Sequence, residues 1–349
     1  MRCMRFIPVL VLAAAIVAGC RIDPPLHLRQ AMDVIVKILW KVEVYPDGVK
    51  PSGVTLYVFR NGQFYLQHTT ADVDSCTLSL EPGRYKLYMI TQSPDEYAYM
   101  DFNDMTDYDL ASVSVSETKS KWYSKASEDE VLINNPEMLA AGVSEEFEIT
   151  EDMVQVYVSN RTKADPWVNV ITIVVPVYPK SVVSQYWITI YSANADVLKS
   201  VRASTSGMAR RFMLTQDFTG PEEGTQFMTS WTLTMDDEAR RVGHLDGRIT
   251  TFGFPRGELP DPKRDSTLNV AALLVDNQTV ANYVFNVGNK IHLEEPVPIG
   301  YRYLYRLTFG SVAEPAISPP DVKPPEGDPS GFDAIVEGWE DAEDVDIDM

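Results

Sequence analysis

Val54-Thr55-Leu56-Tyr57-Val58-Phe59-Arg60, then Asn61-Gly62, then Gln63-Phe64-Tyr65-Leu66-Gln67: this stretch decides the fold class. Two runs rich in β-branched and aromatic residues flank an Asn-Gly pair. A type I′ turn needs positive φ at both central residues, and Asn-Gly meets that need with the least strain. The stretch therefore predicts an antiparallel hairpin. On its N-terminal side, Asp33–Val44 alternates: Val34, Val36, Ile38, Trp40, Val42 and Val44 are apolar, while Lys37, Lys41 and Glu43 take the other face. That pattern predicts a half-buried strand, with Asp47-Gly48 as turn chemistry after it. On the C-terminal side, Thr77–Leu80 and Tyr85–Ile90 flank Glu81-Pro82-Gly83-Arg84. Proline presets φ at the second turn position and glycine suits the third. Residues 31–125 thus read as a first β domain.

Residues 166–312 read as a second. Its expected strands are Trp167–Val175, Tyr186–Tyr191, Phe227–Met235, Arg248–Phe254, Thr267–Val275, Val280–Val287 and Tyr301–Phe309, each bounded by Gly, Pro, Asn or Asp. No helical pattern intervenes, which favours sandwiches over a βαβ arrangement. Arg202–Arg211 (RASTSGMARR) reads as a helical turn or loop. Residues 126–165 are acidic and mixed in period, and read as an interdomain strand or loop segment. Six prolines stiffen residues 313–331 into an extended linker. Alternation returns in Phe332–Val336 and Val345–Met349. Residues 332–349 therefore read either as an acidic disordered tail or as a docked terminal strand, and residues 313–349 together as a linker followed by that tail.

The N-terminus carries a targeting pattern. Arg2 and Arg5 precede an apolar run from Phe6 to Val17, and Val17-Ala18-Gly19-Cys20 follows. The run is too short to span a bilayer, which takes about 20 apolar residues, so residues 1–19 read as a secretory signal peptide. Val17–Cys20 resembles the lipobox of bacterial lipoproteins. The resemblance implies cleavage before Cys20, lipid (diacylglycerol and fatty acyl chains such as palmitate) on its sulfur, and an outer-membrane lipoprotein at the cell surface. Residues 20–30 would be the lipidated tether. Two or more acyl chains would make the attachment stable, whereas one binds only marginally. Beyond the signal peptide only Cys20 and Cys76 remain. That leaves no disulfide framework and no cysteine metal site, and Cys76 is expected to pack as a small apolar side chain.

The formal charge is −20, which excludes nucleic acid as a partner, because phosphate neutralisation needs clustered Lys and Arg. Much of that charge is local: twelve acids and one base lie between Glu314 and Met349. Catalytic motifs are missing. There is no Walker loop, no GxSxG elbow and no HExxH helix, and His27, His68, His244 and His292 stand apart from one another. No enzyme activity, cofactor or metal is expected. Asp101–Asp109 concentrates oxygen ligands, yet Met105 and Thr106 occupy places where a calcium loop needs oxygen and glycine. A solvated acidic loop is the expectation. Tyr97, Tyr99, Phe102 and Tyr108 beside it could stack on sugars or cover the core edge. Asp265-Ser266-Thr267 resembles sites glycosylated on hydroxyls in exported Bacteroides-group proteins.

Several segments carry a wider resemblance. They are Val42–Gly48, Leu80–Leu87, Ser200–Met208, Trp231–Thr234, Thr250–Pro255 and Gly331–Asp341 with its Gly338-Trp339 pair. Together with the lipobox, they resemble the fimbrillin-like lipoproteins of the Bacteroides group, and within them a family known only as a domain of unknown function. The resemblance implies an all-β chain of two tandem transthyretin-like β-sandwich domains. It also implies assembly by strand addition, in which trimming after an arginine (Arg29 or Arg60 here) frees a groove for a neighbour's strand. The 332–349 segment would be the donor. The expected role is structural, adhesive or fimbria-associated, with fimbrial subunits as partners; the alternative is a surface glycan-binding lipoprotein.

Overall fold

In the computed structural model the described residues are 30–41, 44, 50–123, 125, 127–162, 172–255, 266–288, 290–295, 297–325 and 343–346. The Asn-Gly hairpin forms as the sequence dictates. Strands β2 (Val54–Arg60) and β3 (Gln63–Thr70) pair antiparallel. Asn61 and Gly62 take φ of 53° and 80°. The turn is also tied to a third strand: Asn61 N–H donates to the Arg84 carbonyl at 2.7 Å, and its Oδ1 accepts from Arg84 N–H at 3.0 Å.

That third strand, β5 (Gly83–Thr91), lies on the other side of β2. β2 is buried on both faces along nearly its whole length, and β5 is from Leu87 onward. Val54, Leu56, Val58, Tyr85, Leu87 and Met89 point into a smaller core. Tyr57, Phe59, Tyr88 and Ile90 point into a larger one. The sheet is completed by β9 (Ala140–Val143), β10 (Phe147–Ile149) and β12 (Lys180–Ser181), in the order β12-β9-β5-β2-β3 with β10 also on β5. Across the smaller core stands a three-stranded sheet of β11 (Ile173–Val177), β1 (Met32–Ile38) and β4 (Ser75–Leu80), in the order β11-β1-β4. Glu81-Pro82-Gly83-Arg84 is a corner between sheets, since β4 pairs with β1 while β5 pairs with β2.

The larger core lies between two more sheets. One runs β18 (Trp231–Asp237), β19 (Val242–Thr251), β13 (Ser184–Ser192), β23 (Leu304–Phe309) and β22 (His292–Glu294). The other runs β24 (Glu343–Asp346), β21 (Thr279–Asn286), β20 (Thr267–Leu274), β14 (Leu198–Ala209), β17 (Glu223–Met228) and β8 (Leu132–Ile133). A small sheet of β16 (Phe218–Thr219), β15 (Arg211–Met213), β7 (Ser112–Val115) and β6 (Met100–Asn103) closes one end. The expected fold class holds: the chain is built of β sheets packed as sandwiches.

Several elements differ from the sequence reading. The strand expected over Asp33–Val44 ends at Ile38. There the chain turns away, with Leu39 N–H on the Val177 carbonyl at 2.8 Å and Trp40 Nε1 on the Val73 carbonyl at 2.7 Å. Of the strand expected over Trp167–Val175 in the second region, residues 167–171 lie outside the described residues; its C-terminal part belongs to β11, which pairs in parallel with β1. The 126–165 stretch supplies β8, β9 and β10, followed by a helix α1 (Glu151–Thr162) that buries Val154 and Tyr157. The expected Phe227–Met235 strand is two, because the chain changes sheets at Thr229-Ser230 and Trp231 Nε1 donates back to the Met228 carbonyl at 3.1 Å.

RASTSGMARR is neither helix nor loop. It forms most of β14, a strand in the middle of its sheet. Its small side chains, among them buried Ser204 and Thr205, hide the alternation. Gly207, at φ 77°, sits where the register with β17 shifts between Thr205 and Met208, and such a bulge needs a residue free to adopt positive φ. The expected linker is also ordered in part. Ile317 is buried, Ala193 N–H donates to its carbonyl at 2.8 Å, and Asn194 Nδ2 donates to the Pro319 carbonyl at 3.0 Å. Arg241 grips Asp196 and Asp321, each at 2.8 Å.

One close approach in the larger core is testable. A Cβ at Gly247 would lie 2.9 Å from two Trp231 ring carbons and closer still to the Met228 sulfur. Replacing Gly247 with Ala should cost about 1–3 kcal/mol through forced repacking, read as a lower urea midpoint with unchanged slope.

Candidate functional site

Two terminal strands and the edges they pair with form the first candidate site. β1 stands at the centre. It is held in parallel by β11, with Val34 opposite Ile173 through Ile38 opposite Val177, and antiparallel by β4, with Met32 opposite Leu80 through Lys37 opposite Ser75. Its inward residues Met32, Val34, Val36 and Ile38 are at most 2 % exposed. Its outward Asp33 is pinned from the helix, since the Tyr157 hydroxyl donates to Asp33 Oδ2 at 2.6 Å. β1 is thus an N-terminal strand that fills a slot between two neighbours. The slot has the two edges and the apolar floor that strand addition requires.

The second feature is at the C-terminus. β24 lies parallel to β21, with Thr279 opposite Glu343 through Asn282 opposite Asp346. Of the two readings for residues 332–349, a docked strand is the one found over Glu343–Asp346; the rest of that segment lies outside the described residues. β21 continues beyond it with Val284 exposed.

Of the two candidate trimming points, Arg29 lies outside the described residues, as does Cys20. Arg60 closes β2. Its Nε donates to the Pro82 carbonyl at 3.0 Å, its Nη1 meets Glu81 Oε2 at 2.6 Å, and its guanidinium lies 5.6 Å from the Tyr65 ring centroid. Gln30, Glu151 and Gln155 join these groups around a depression of about 600 Å³. The Arg60–Asn61 bond sits in a tight, tethered hairpin rather than at the kind of exposed loop tip proteases prefer. Trypsin should cut it at least about a hundredfold more slowly in the folded chain than in urea-unfolded chain, as followed by mass spectrometry of the fragments.

The other sequence-predicted groups are scattered. Asp107 Oδ1 accepts from Asp109 and Leu110 N–H at 3.0 and 3.2 Å, so this acid caps its own turn. Among the described residues, no group of three His, Cys, Asp or Glu side chains is placed to hold a metal ion. Tyr97 donates to the Thr91 carbonyl at 2.7 Å and lies 5.2 Å from Phe102, ring to ring. Tyr108 packs edge-on to Phe59 at 5.4 Å. Only Tyr99 of the four is largely exposed, so they form no common platform. Cys76 is half-buried and packs against the smaller core, and its thiol is pushed up to about 11, by burial first and by Asp72 second. Ser266 is buried and donates to the Ser206 carbonyl at 2.6 Å, which leaves its hydroxyl no room for a glycan.

His27 lies outside the described residues, His68 is half-buried on β3 and His292 is exposed on β22. His244 lies between Asp236, 2.7 Å from Nδ1, and Asp246, 3.4 Å from Nε2. One grouping escaped the sequence reading. Trp187 on β13 lies between two arginines from neighbouring strands, Arg248 at 4.0 Å and Arg306 at 4.7 Å from its ring centroid. Trp187 alternates with buried Tyr186 and Ile188 along β13, and its partners come from strands remote in sequence. Among the described residues, no helix is long and apolar enough to cross a membrane.

Comparison with solved structures agrees with this architecture. A candidate adhesin from Bacteroides ovatus superposes with a TM-score of 0.51 at 13% identity, over 91% of this chain and 94% of that one. That shows a shared fold. The fimbrial anchor protein Mfa2 from Porphyromonas gingivalis matches at a TM-score of 0.45 and 10% identity, over 80% of this chain and 90% of that one. A candidate adhesin from Bacteroides thetaiotaomicron matches at 0.45 and 11% identity, over 69% and 77%. A search of curated proteins finds no match. One family model, described as a domain of unknown function (DUF5119), matches residues 26–229, more than half of the sequence. The chain belongs to that family.

Proposed function

We propose that this chain is an exported, non-enzymatic lipoprotein of the outer membrane, held at the cell surface by lipid on Cys20. In this reading it serves as a fimbria-associated structural or adhesive subunit, built as two β-sandwich units and completed by strand addition. The observation that carries the assembly part is the seating of β1: a seven-residue N-terminal strand with four buried apolar residues and a neighbour on each side. Its place soon after the tether means that one cut beyond Ile38 would free a slot already shaped for a strand. The adhesin description of the Bacteroides ovatus structure agrees with the reading. A glycan-binding role draws no comparable support, because Tyr97 and Phe102 face each other and Tyr99 stands alone.

Anchoring and assembly are separately testable. In a Bacteroides-group host, the chain should incorporate labelled fatty acid and partition into the membrane fraction, and Cys20→Ala should abolish both. Label retained by that variant would overturn the lipid assignment. For assembly, a chain lacking residues 1–41 should bind a synthetic peptide of residues 30–41 and, competitively, one of residues 332–349, at about micromolar affinity. The intact chain should bind neither. Binding of the first peptide without the second would remove the tail as donor; failure of both, in a chain whose far-ultraviolet dichroism is intact, would remove strand addition at this slot.

A further inference from the structure

β1 and the tail share a short sequence pattern. Ala31-Met32-Asp33-Val34-Ile35-Val36 and Gly331-Phe332-Asp333-Ala334-Ile335-Val336 match class for class: a small residue, a large apolar one, Asp, a further apolar one, then Ile-Val. Asp-x-Ile-Val occurs nowhere else in the chain. β1 uses every part of the pattern. Met32, Val34 and Val36 fill the floor of the slot. Ile35 is half-buried on the outward side, between Val174 of β11 and Thr77 of β4. Asp33, also outward, accepts the hydroxyl of Tyr157 on α1 at 2.6 Å. Tyr157 is itself buried and belongs to the smaller core, which holds its hydroxyl at a fixed place beside the slot.

A strand chosen only for an apolar floor would match β1 at every second residue and differ between them. The tail repeats the outward residues too. Asp333 stands where Asp33 meets Tyr157, and Ile335 stands where Ile35 meets Val174. The likeness therefore extends beyond the period of two, to both faces of the strand.

Resting on the strand-addition reading above, we infer that residues 332–338 are the part of the tail that takes the place of β1, and that Tyr157 selects this strand by its carboxylate. Asp333 takes the Tyr157 hydroxyl, and Phe332 takes the place of Met32. A hydroxyl-to-carboxylate bond is about twice as strong as one between neutral groups, and only a strand with an acid at this position supplies it. The other alternating segment fits less well. With Val345 in the place of Met32, Asp348 falls where Ile35 lies, and Glu343–Asp346 is seated on β21 instead. Ala334 and Gly338 stand for Val34 and Ile38, so the tail fills the floor less fully than β1 does.

The exported chain from Arg21 onward, which keeps every described residue, tests this. A specific protease site inserted between Asp47 and Gly48 is cut after folding, which leaves β1 in place without a covalent link. Labelled peptides of residues 30–41 and 330–341, equal in length and register, are then added in excess to exchange into the slot. Both should enter, the first more tightly. Asp333→Ala in the second peptide should weaken it about tenfold or more. That change also removes a negative charge, which by itself favours binding to so acidic a chain, so weakening reports the local bond. In a Tyr157→Phe chain the same change should cost less than about twofold, because the bond it breaks is gone. Gly338→Ile should tighten the peptide about tenfold by filling the place of Ile38, whereas Glu337→Ile, on the outward side, should not. Entry of neither peptide would remove strand addition at this slot and the selection with it. Entry of residues 30–41 without 330–341, or an Asp333→Ala effect unchanged by Tyr157→Phe, would overturn the selection and leave strand addition standing. An unchanged thermal midpoint in the uncut Tyr157→Phe chain excludes misfolding as the cause.

Discussion

β2, and β5 from Leu87 onward, are buried on both faces, and the rest of the molecule is arranged around that. A sheet wet on one side needs apolar residues at every second position; a sheet between two cores needs them at nearly all. β2 meets the demand with Val54, Leu56 and Val58 toward one core and Tyr57 and Phe59 toward the other. Fully burying such a side chain contributes about 1.5–3 kcal/mol, so these two strands anchor both cores together. Tyr57 and Tyr88 stack at 4.9 Å between ring centroids, and the Tyr88 hydroxyl donates to the Met105 carbonyl at 2.6 Å. The acidic loop is thereby tied to the shared sheet through its backbone, while its carboxylates remain outside.

This explains what could be read from the sequence. The hairpin at Asn61-Gly62 was legible because its cause is local: two residues able to take positive φ between two β-rich runs. The strands of the larger sandwich were legible because one wet face imprints alternation, as in β13, where odd positions from Gln185 to Tyr191 are half-buried and even ones buried. Legibility failed where the cause is remote. β14 reads poorly because it is packed by small residues. The helix α1 was missed because its apolar residues lie all round, with Val154 buried but Val156 and Val158 exposed. β11 was placed with the wrong neighbours because nothing in Ile173–Val177 names its partner, β1, over a hundred residues away.

The candidate site was legible in its parts and not in its assembly. Alternation marked β1 as a strand and left the terminal segment open between a disordered tail and a docked strand, and pairing is decided by which edges remain open after the others close. Arg60 shows the limit from the other side. As a residue type it suits a trypsin-like cut. In place, it holds the Glu81–Pro82 corner and stands beside a two-residue turn, so cutting there would remove a central strand from each of two sheets. A cut between Ile38 and β2 would release β1 alone. The chain between them includes Lys41 and Lys50 and no arginine.

Whether the tail could replace β1 turns on side-chain periodicity. The slot takes four large apolar residues at every second position: Met32, Val34, Val36 and Ile38. Val345, Ile347 and Met349 offer three at that spacing with Asp346 and Asp348 between them, while Phe332, Ala334 and Val336 offer two large and one small, with Asp333 and Ile335 between them. Interleaved acids suit an outward face and cannot enter the floor, so the register of the 345–349 segment in the slot would be set to within one residue. Each leaves at least one of the four positions empty, and a cavity the size of a valine or isoleucine side chain weakens binding by about 1–3 kcal/mol. A donated strand of this sequence would therefore bind less tightly than β1 itself, which makes removal of β1, rather than competition with it, the necessary first step of the proposed assembly.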